Sequence, residues 1–182
     1  MEFVPTEIPD VMEIRPRVFS DRRGVFFESW NARTFAQAGL DLDFVQDNHC
    51  DSGVNVLRGI HYQIEKPQGK LVRVTSGTVF DVAVDLRLSS RTFGKWVGMI
   101  LSEQKRNMLW IPPGFAHGYL VTSTSAQLLY KCTDFYAPEH ERAVRWDDPD
   151  LKIEWPLPAG IDPIVSKKDA AALSFRDAEK YS

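Results

Sequence analysis

Between Val45 and about Tyr136 the chain reads as short runs rich in Val, Ile, Leu, Phe and Thr, divided by Gly, Pro, Ser and Asn. Helix signals there are few, and this rhythm predicts an antiparallel β sandwich or barrel. The clearest alternation is Thr78 to Leu86, where Phe80, Val82, Val84 and Leu86 point one way and Asp81, Ala83 and Asp85 the other. Gly77 supplies a turn after a strand at Leu71 to Thr75. Further strands are predicted at Trp96 to Leu101, Asn107 to Ile111, Tyr119 to Val121 and Gln127 to Thr133. Helix is confined to Ala32 to Ala38, capped by Asn31 or Ser29 and stopped by Gly39, and to a short piece opening at Ser166. Pro156 to Pro163 reads as an extended surface loop.

With 182 residues, 43% of them hydrophobic, the chain suits one domain spanning 1–182. A net charge of -3 argues against a broad basic surface for nucleic acid, and leaves room for a local basic pocket holding one phosphorylated ligand. No apolar run approaches the roughly 20 residues that span a bilayer. Two distant cysteines, Cys50 and Cys132, and no cationic start before an apolar run indicate neither a disulfide scaffold nor a signal peptide. The cytoplasm is the expected location.

Chemistry concentrates in Arg58-Gly59-Ile60-His61-Tyr62-Gln63, with Lys70 opening the next strand-like run. An imidazole can take a proton beside a carbonyl, and an ammonium can hold the oxyanion that results. Pro112-Pro113-Gly114-Phe115-Ala116-His117-Gly118 delivers a second histidine after a turn. That segment resembles the second motif of the cupin superfamily, a small jelly-roll barrel with its site inside. Metal-binding cupins offer an H-x-H pair plus a glutamate, whereas here His61 is followed by Tyr62 and Gln63. None of the four histidines, His49, His61, His117 and His140, is paired at ligand spacing, so no metal and no cofactor is expected.

The resemblance then becomes specific. The matching stretches are Asp21-Arg22-Arg23-Gly24 with Glu28, Phe44 to Asn48, Leu57 to Gln63, Gly69 to Val72, Phe80 to Arg87, Pro113 to Gly118, Tyr130-Lys131 and Ser166 to Asp169. Together they resemble the dTDP-4-dehydrorhamnose 3,5-epimerase family over nearly the whole chain. The resemblance implies an all-β cupin-type jelly roll with short flanking helices, a homodimer, and conversion of dTDP-4-dehydro-6-deoxy-glucose to dTDP-4-dehydro-L-rhamnose. It also implies roles: His61 as base, Asp169 orienting it, Lys70 holding the enolate oxygen, and Tyr130 returning a proton from the opposite face. Arg23, Glu28, Gln46, Asn48, Arg58, His117, Glu141 and Lys168 would meet the nucleotide, diphosphate or sugar. Two departures stand out: Cys50 where the family commonly shows serine, and Val54-Asn55-Val56 in place of a more usual glycine.

Other readings of these residues stay open. His61 and His117 also suit interior hydrogen-bonding histidines, Lys70 a snorkelling strand-edge charge, and Tyr130 an aromatic packing residue. Ser166-x-x-Asp169 fits a helix capping box, with which an orienting role for Asp169 is compatible. In a regular strand Arg58 would face away from His61, so either Gly59 marks a bulge, the favoured reading, or the two residues line the pocket from different angles. The rival functions are an epimerase acting at only C3 or only C5, a metal-dependent cupin oxygenase, and a non-catalytic sugar-nucleotide sensor.

Overall fold

Strands dominate the computed structural model, which describes residues 1–182. In chain order they are β1 (Glu2–Pro5), β2 (Met12–Arg15), β3 (Val18–Asp21), β4 (Gly24–Phe27), β5 (Gln46–Gly53), β6 (Leu57–Gln63), β7 (Lys70–Ser76), β8 (Thr78–Asp85), β9 (Trp96–Ser102), β10 (Met108–Ile111), β11 (Phe115–Val121), β12 (Ser125–Cys132) and β13 (Glu141–Ala143). Two short α-helices, α1 (Ala32–Gln37) and α2 (Lys167–Ala170), flank them. One antiparallel sheet runs β1-β2-β10-β7-β12-β5 and the other β13-β6-β11-β8-β9, the two layers of a jelly roll. β3 and β4 form a separate hairpin that joins neither sheet.

Between the layers Val72, Val74, Leu109 and Leu128 of the larger sheet meet Val79, Ala83, Val97, Leu101 and Phe115 of the smaller one. Each of these Val, Leu and Phe side chains removed from water contributes about 1.5–3 kcal/mol before entropy is counted. The outer face of the smaller sheet is also covered: Ile60, Val82, Val84 and Leu86 pack against Val144, Leu151 and Ala178 of the C-terminal segment. The apolar stripe of β8 therefore lies under that segment, and its Asp81–Ala83 stripe faces the barrel interior. On the larger sheet's outer face Phe35 of α1 packs among Ile14, Leu71, Met108 and Trp110. Asn31 caps α1, its side-chain oxygen accepting from Thr34 N at 3.2 Å.

β11 begins at Phe115 rather than Tyr119, because Phe115 to Gly118, weakly patterned alone, are paired along β8 on one side. Residues 2–27 supply four strands outside the stretch that shows the strongest sequence rhythm, and β13 adds an edge to β6.

The parity of Arg58 is resolved by a bulge. His61 pairs with His117 and Arg58 with Tyr119, so three steps along β6 oppose two along β11. At its centre Gly59 has φ 118°, and a Cβ there would fall 2.6 Å from Gly118 Cα and 2.7 Å from the His117 carbonyl oxygen. Only glycine lets the strands close here. The extra residue turns Arg58 to the same cavity as His61.

Candidate active site

The cavity, of about 510 Å³, opens between the two sheets where the apolar interlayer gives way to polar side chains. On the larger sheet Lys70, Cys132 and Gln46 form one cross-strand row, and Val72, Tyr130 and Asn48 the next. On the smaller sheet His61, His117 and Ala83 stand in one row, and Arg58, Tyr119 and Asp81 in the next. His61, Lys70, His117, Tyr130 and Asp169 all line the cavity, with Arg58, Glu141 and Lys168 beside them.

Asp169 has two attachments. Its backbone N–H donates to the Ser166 hydroxyl at 3.1 Å, so Ser166 caps α2. Its carboxylate does not turn back to complete a capping box; Oδ1 lies 2.7 Å from His61 Nε2, and Oδ2 accepts from Gly59 N at 3.4 Å. Burial raises the Asp169 pKa, but the His61 hydrogen bond and charge, with Gly59 and Ser166, outweigh it and leave the group below the usual carboxylate range. A carboxylate so placed fixes the tautomer of an imidazole and stabilises the cation it becomes.

His117 is buried, and its Nε2 lies 3.0 Å from both oxygens of Asp81. Desolvation pushes its pKa down, opposed by Asp81 and reinforced by the positive charges of Lys70 and His61. Asp81 is a site partner to which the sequence motifs assign no role. Its sequence signals are membership of the matching Phe80–Arg87 stretch and an acid within the Thr78–Leu86 alternation, and alternation does not say which stripe faces inward.

Lys70 is half-buried, with Nζ 5.9 Å from the centroid of the Tyr130 ring. Desolvation lowers its pKa, partly offset by Cys132, Asp81 and Glu141. Neither Asp81 nor Glu141 pairs with it: Asp81 holds His117, and Glu141 accepts from Lys168 Nζ at 2.5 Å and from the Tyr136 hydroxyl at 2.7 Å. Burial raises the Tyr130 phenol, so it keeps its proton at neutral pH. The ammonium and phenol on one wall therefore face the His61–Asp169 pair on the other.

The remaining residues separate into two groups. Arg58 Nε donates to Ser52 Oγ at 3.2 Å at the cavity wall. Gln46 Nε2 donates to Asn48 Oδ1 at 3.1 Å, and Asn48 Nδ2 to Cys132 Sγ at 3.5 Å, beside the cavity rather than in its lining. Arg23 and Glu28 are not brought to the cavity. Arg23 pairs with Asp21 at the tip of the β3–β4 hairpin, and Glu28 accepts from Asn31 Nδ2 at 3.0 Å. No three His, Cys, Asp or Glu side chains converge as a metal-ligand set.

The sequence profile of the dTDP-4-dehydrorhamnose 3,5-epimerase family matches residues 5–177. The chain belongs to this family. A dTDP-4-dehydrorhamnose 3,5-epimerase of Pseudomonas aeruginosa is 58% identical over 175 residues, 96% of each chain. The structure superposes with TM-score 0.94 on a Legionella pneumophila dTDP-6-deoxy-D-glucose-3,5-epimerase in complex with dTDP-4-keto-L-rhamnose, 45% identical and covering 100% of this chain and 98% of that one. It also resembles a 3'-monoepimerase from Streptomyces bikiniensis in complex with dTDP-quinovose, with TM-score 0.89, 34% identity and coverage of 95% and 87%. Fold likeness thus extends to an enzyme named for one carbon. No helix is long and apolar enough to cross a membrane.

Proposed function

We propose that the chain epimerises C3 and C5 of dTDP-4-dehydro-6-deoxy-D-glucose to give dTDP-4-dehydro-L-rhamnose, without a cofactor, as a cytoplasmic homodimer. The observation that carries this reading is the facing arrangement of the His61–Asp169 pair and the Lys70–Tyr130 wall around one cavity. The 4-keto group acidifies both neighbouring carbons. His61 removes the proton, Asp169 stabilises the imidazolium, and Lys70 holds the enolate oxygen. Tyr130 delivers a proton to the opposite face, and exchange with solvent resets both groups. Each proton-transfer group contributes on the order of 10²–10⁴ in rate. Arg58 and Lys168 supply positive charge for the diphosphate, the arginine through paired donors.

The homodimer accounts for the two residues left outside the cavity. Arg23 lies on a hairpin whose Phe19 and Phe26 are 50% and 72% exposed, an apolar surface that a second copy would cover. In that arrangement Arg23 and Glu28 serve the partner's cavity.

Proton NMR of the nucleotide-sugar substrate in deuterated buffer tests the reading. Loss of both the C3–H and C5–H signals is expected; loss of one alone makes the enzyme a monoepimerase. His61→Ala abolishes exchange at both carbons and leaves nucleotide affinity largely intact, whereas full retained activity would overturn the assignment.

A further inference from the structure

The cavity contains a nucleophile that the proton transfers do not use. Cys50 lies on β5 two residues beyond Asn48, opposite Leu128 of β12, and its half-buried side chain lines the cavity with His61 and Tyr130. Beside it is Tyr119, 4% exposed, whose hydroxyl is buried and has no hydrogen-bond partner. Cys50 and Ser52 neighbour that hydroxyl, and Ser52 Oγ already accepts from Arg58. Burial pushes the Tyr119 phenol up to about 12, so it remains a donor at neutral pH. A buried hydroxyl left unpaired is destabilising, and a charged sulfur accepts a hydrogen bond more strongly than a neutral thiol. Arg58, Lys70 and Lys168 set three cations around the cavity against the two carboxylates of Glu141 and Asp169.

We propose that Cys50 is a site of reversible S-thiolation, where a small anionic disulfide enters the substrate cavity and closes it. The cations that suit a diphosphate recruit the reagent's carboxylates. Cys50 gives its proton to solvent, and the thiolate attacks one sulfur of the disulfide. A new sulfur–sulfur bond forms as the old one breaks, and the departing thiolate takes up a proton. Cys50 is thereby oxidised to a mixed disulfide and half of the reagent is reduced to thiol, so no other oxidant takes part. The Tyr119 hydroxyl donates to the Cys50 sulfur as charge develops on it. The adduct fills a cavity within the size range of small-molecule sites. Cys132, 0% exposed, stays out of reach.

The test incubates the full chain with glutathione disulfide under native conditions and follows intact mass, peptide mapping and turnover. One adduct at Cys50 is expected, with turnover lost in proportion and restored by dithiothreitol. Saturation with dTDP at ten times its dissociation constant slows the modification by roughly tenfold. Cys50→Ser takes up no adduct and keeps its turnover under the same treatment, and Tyr119→Phe is modified several-fold more slowly, roughly the effect of one lost hydrogen bond. The proposal fails if the adduct maps to Cys132, if no adduct forms, if a Cys50 adduct leaves turnover unchanged, or if Cys50→Ser is inactivated as fast as the parent.

Discussion

Asp169 reaches His61 across 108 residues of chain, its Oδ1 2.7 Å from Nε2, while its own N–H rests on Ser166. The side chain and backbone of one residue thus do separable jobs, and substitutions separate them. Asp169→Asn keeps the size and the cap but removes the charge proposed to stabilise the His61 imidazolium, so kcat is expected to fall by about two to four orders of magnitude with the melting point little changed. Ser166→Ala does the reverse, costing about 1 kcal/mol of stability while kcat stays within a few-fold. Steady-state kinetics and thermal melts on the two variants check both halves; equal kinetic losses would show that capping alone matters.

Lys70 carries a charge that the fold does not neutralise. Desolvation lowers its pKa below the ordinary lysine value of 10.5. Between the folded value and 10.5 the unfolded chain binds more protons, so stability rises with pH through that window; at neutral pH the ammonium is a cost. Lys70→Met is therefore expected to raise the melting temperature at neutral pH and, if Lys70 holds the enolate oxygen as proposed, to lower turnover by about two to three orders of magnitude. In the parent enzyme turnover falls as the pH rises through the same depressed value. A stopped-assay pH profile paired with melting curves checks both.

Much of this site could be read from residue order, and the unread part has a physical pattern. The parity conflict between Arg58 and His61 left two solutions, a bulge at Gly59 or two different angles of approach, and the pairing of β6 with β11 selects the bulge. The role of Asp81 is not legible because alternation in β8 reveals two stripes without saying which faces inward; the covering C-terminal segment decides that. The first four strands are too short and too irregular to announce themselves, since β1 and β2 are fixed by pairing at a sheet edge and β3 and β4 only by each other. The buried, unpartnered hydroxyl of Tyr119 beside Cys50 has no sequence signal at all, because it depends on what neighbouring strands fail to offer.

Gly59 allows a direct test of the bulge. Gly59→Ala places a methyl group 2.6 Å from Gly118 Cα on a backbone with positive φ, costing about 2 kcal/mol or more. Relief requires β6 and β11 to part, which displaces Arg58 and His61 together. Both KM and kcat are expected to suffer, unlike Asp169→Asn, where kcat alone falls.

If the hairpin of one copy completes the cavity of another, two inactive variants can repair each other. Dimers of His61→Ala and of Arg23→Ala each carry two damaged sites, but a mixed dimer has one site with both lesions and one with neither. Random exchange of subunits then returns roughly a quarter of parental turnover. Mixing under exchange conditions followed by assay reads this directly, and no recovery despite demonstrated exchange would rule out service of Arg23 in the partner's cavity.

The seam between β8 and β11 carries His117 and a buried carboxylate. Asp85 lies opposite Phe115, its side chain 0% exposed, and binds Arg87, Ser90 and Thr92. Burial raises its pKa, but those hydrogen bonds outweigh it and bring the value from 3.8 down to about 2. A depressed carboxylate contributes stability that is present above its unfolded value and lost as the pH falls from there through the folded value. The shift corresponds to about 2 kcal/mol. Asp85→Asn accordingly lowers stability by about 2 kcal/mol at neutral pH, and its stability declines less steeply than the parent's from about pH 4 to about pH 2. Urea titrations at neutral pH and at about pH 3 make the comparison, and a variant whose deficit does not shrink on acidification would rule out the linkage.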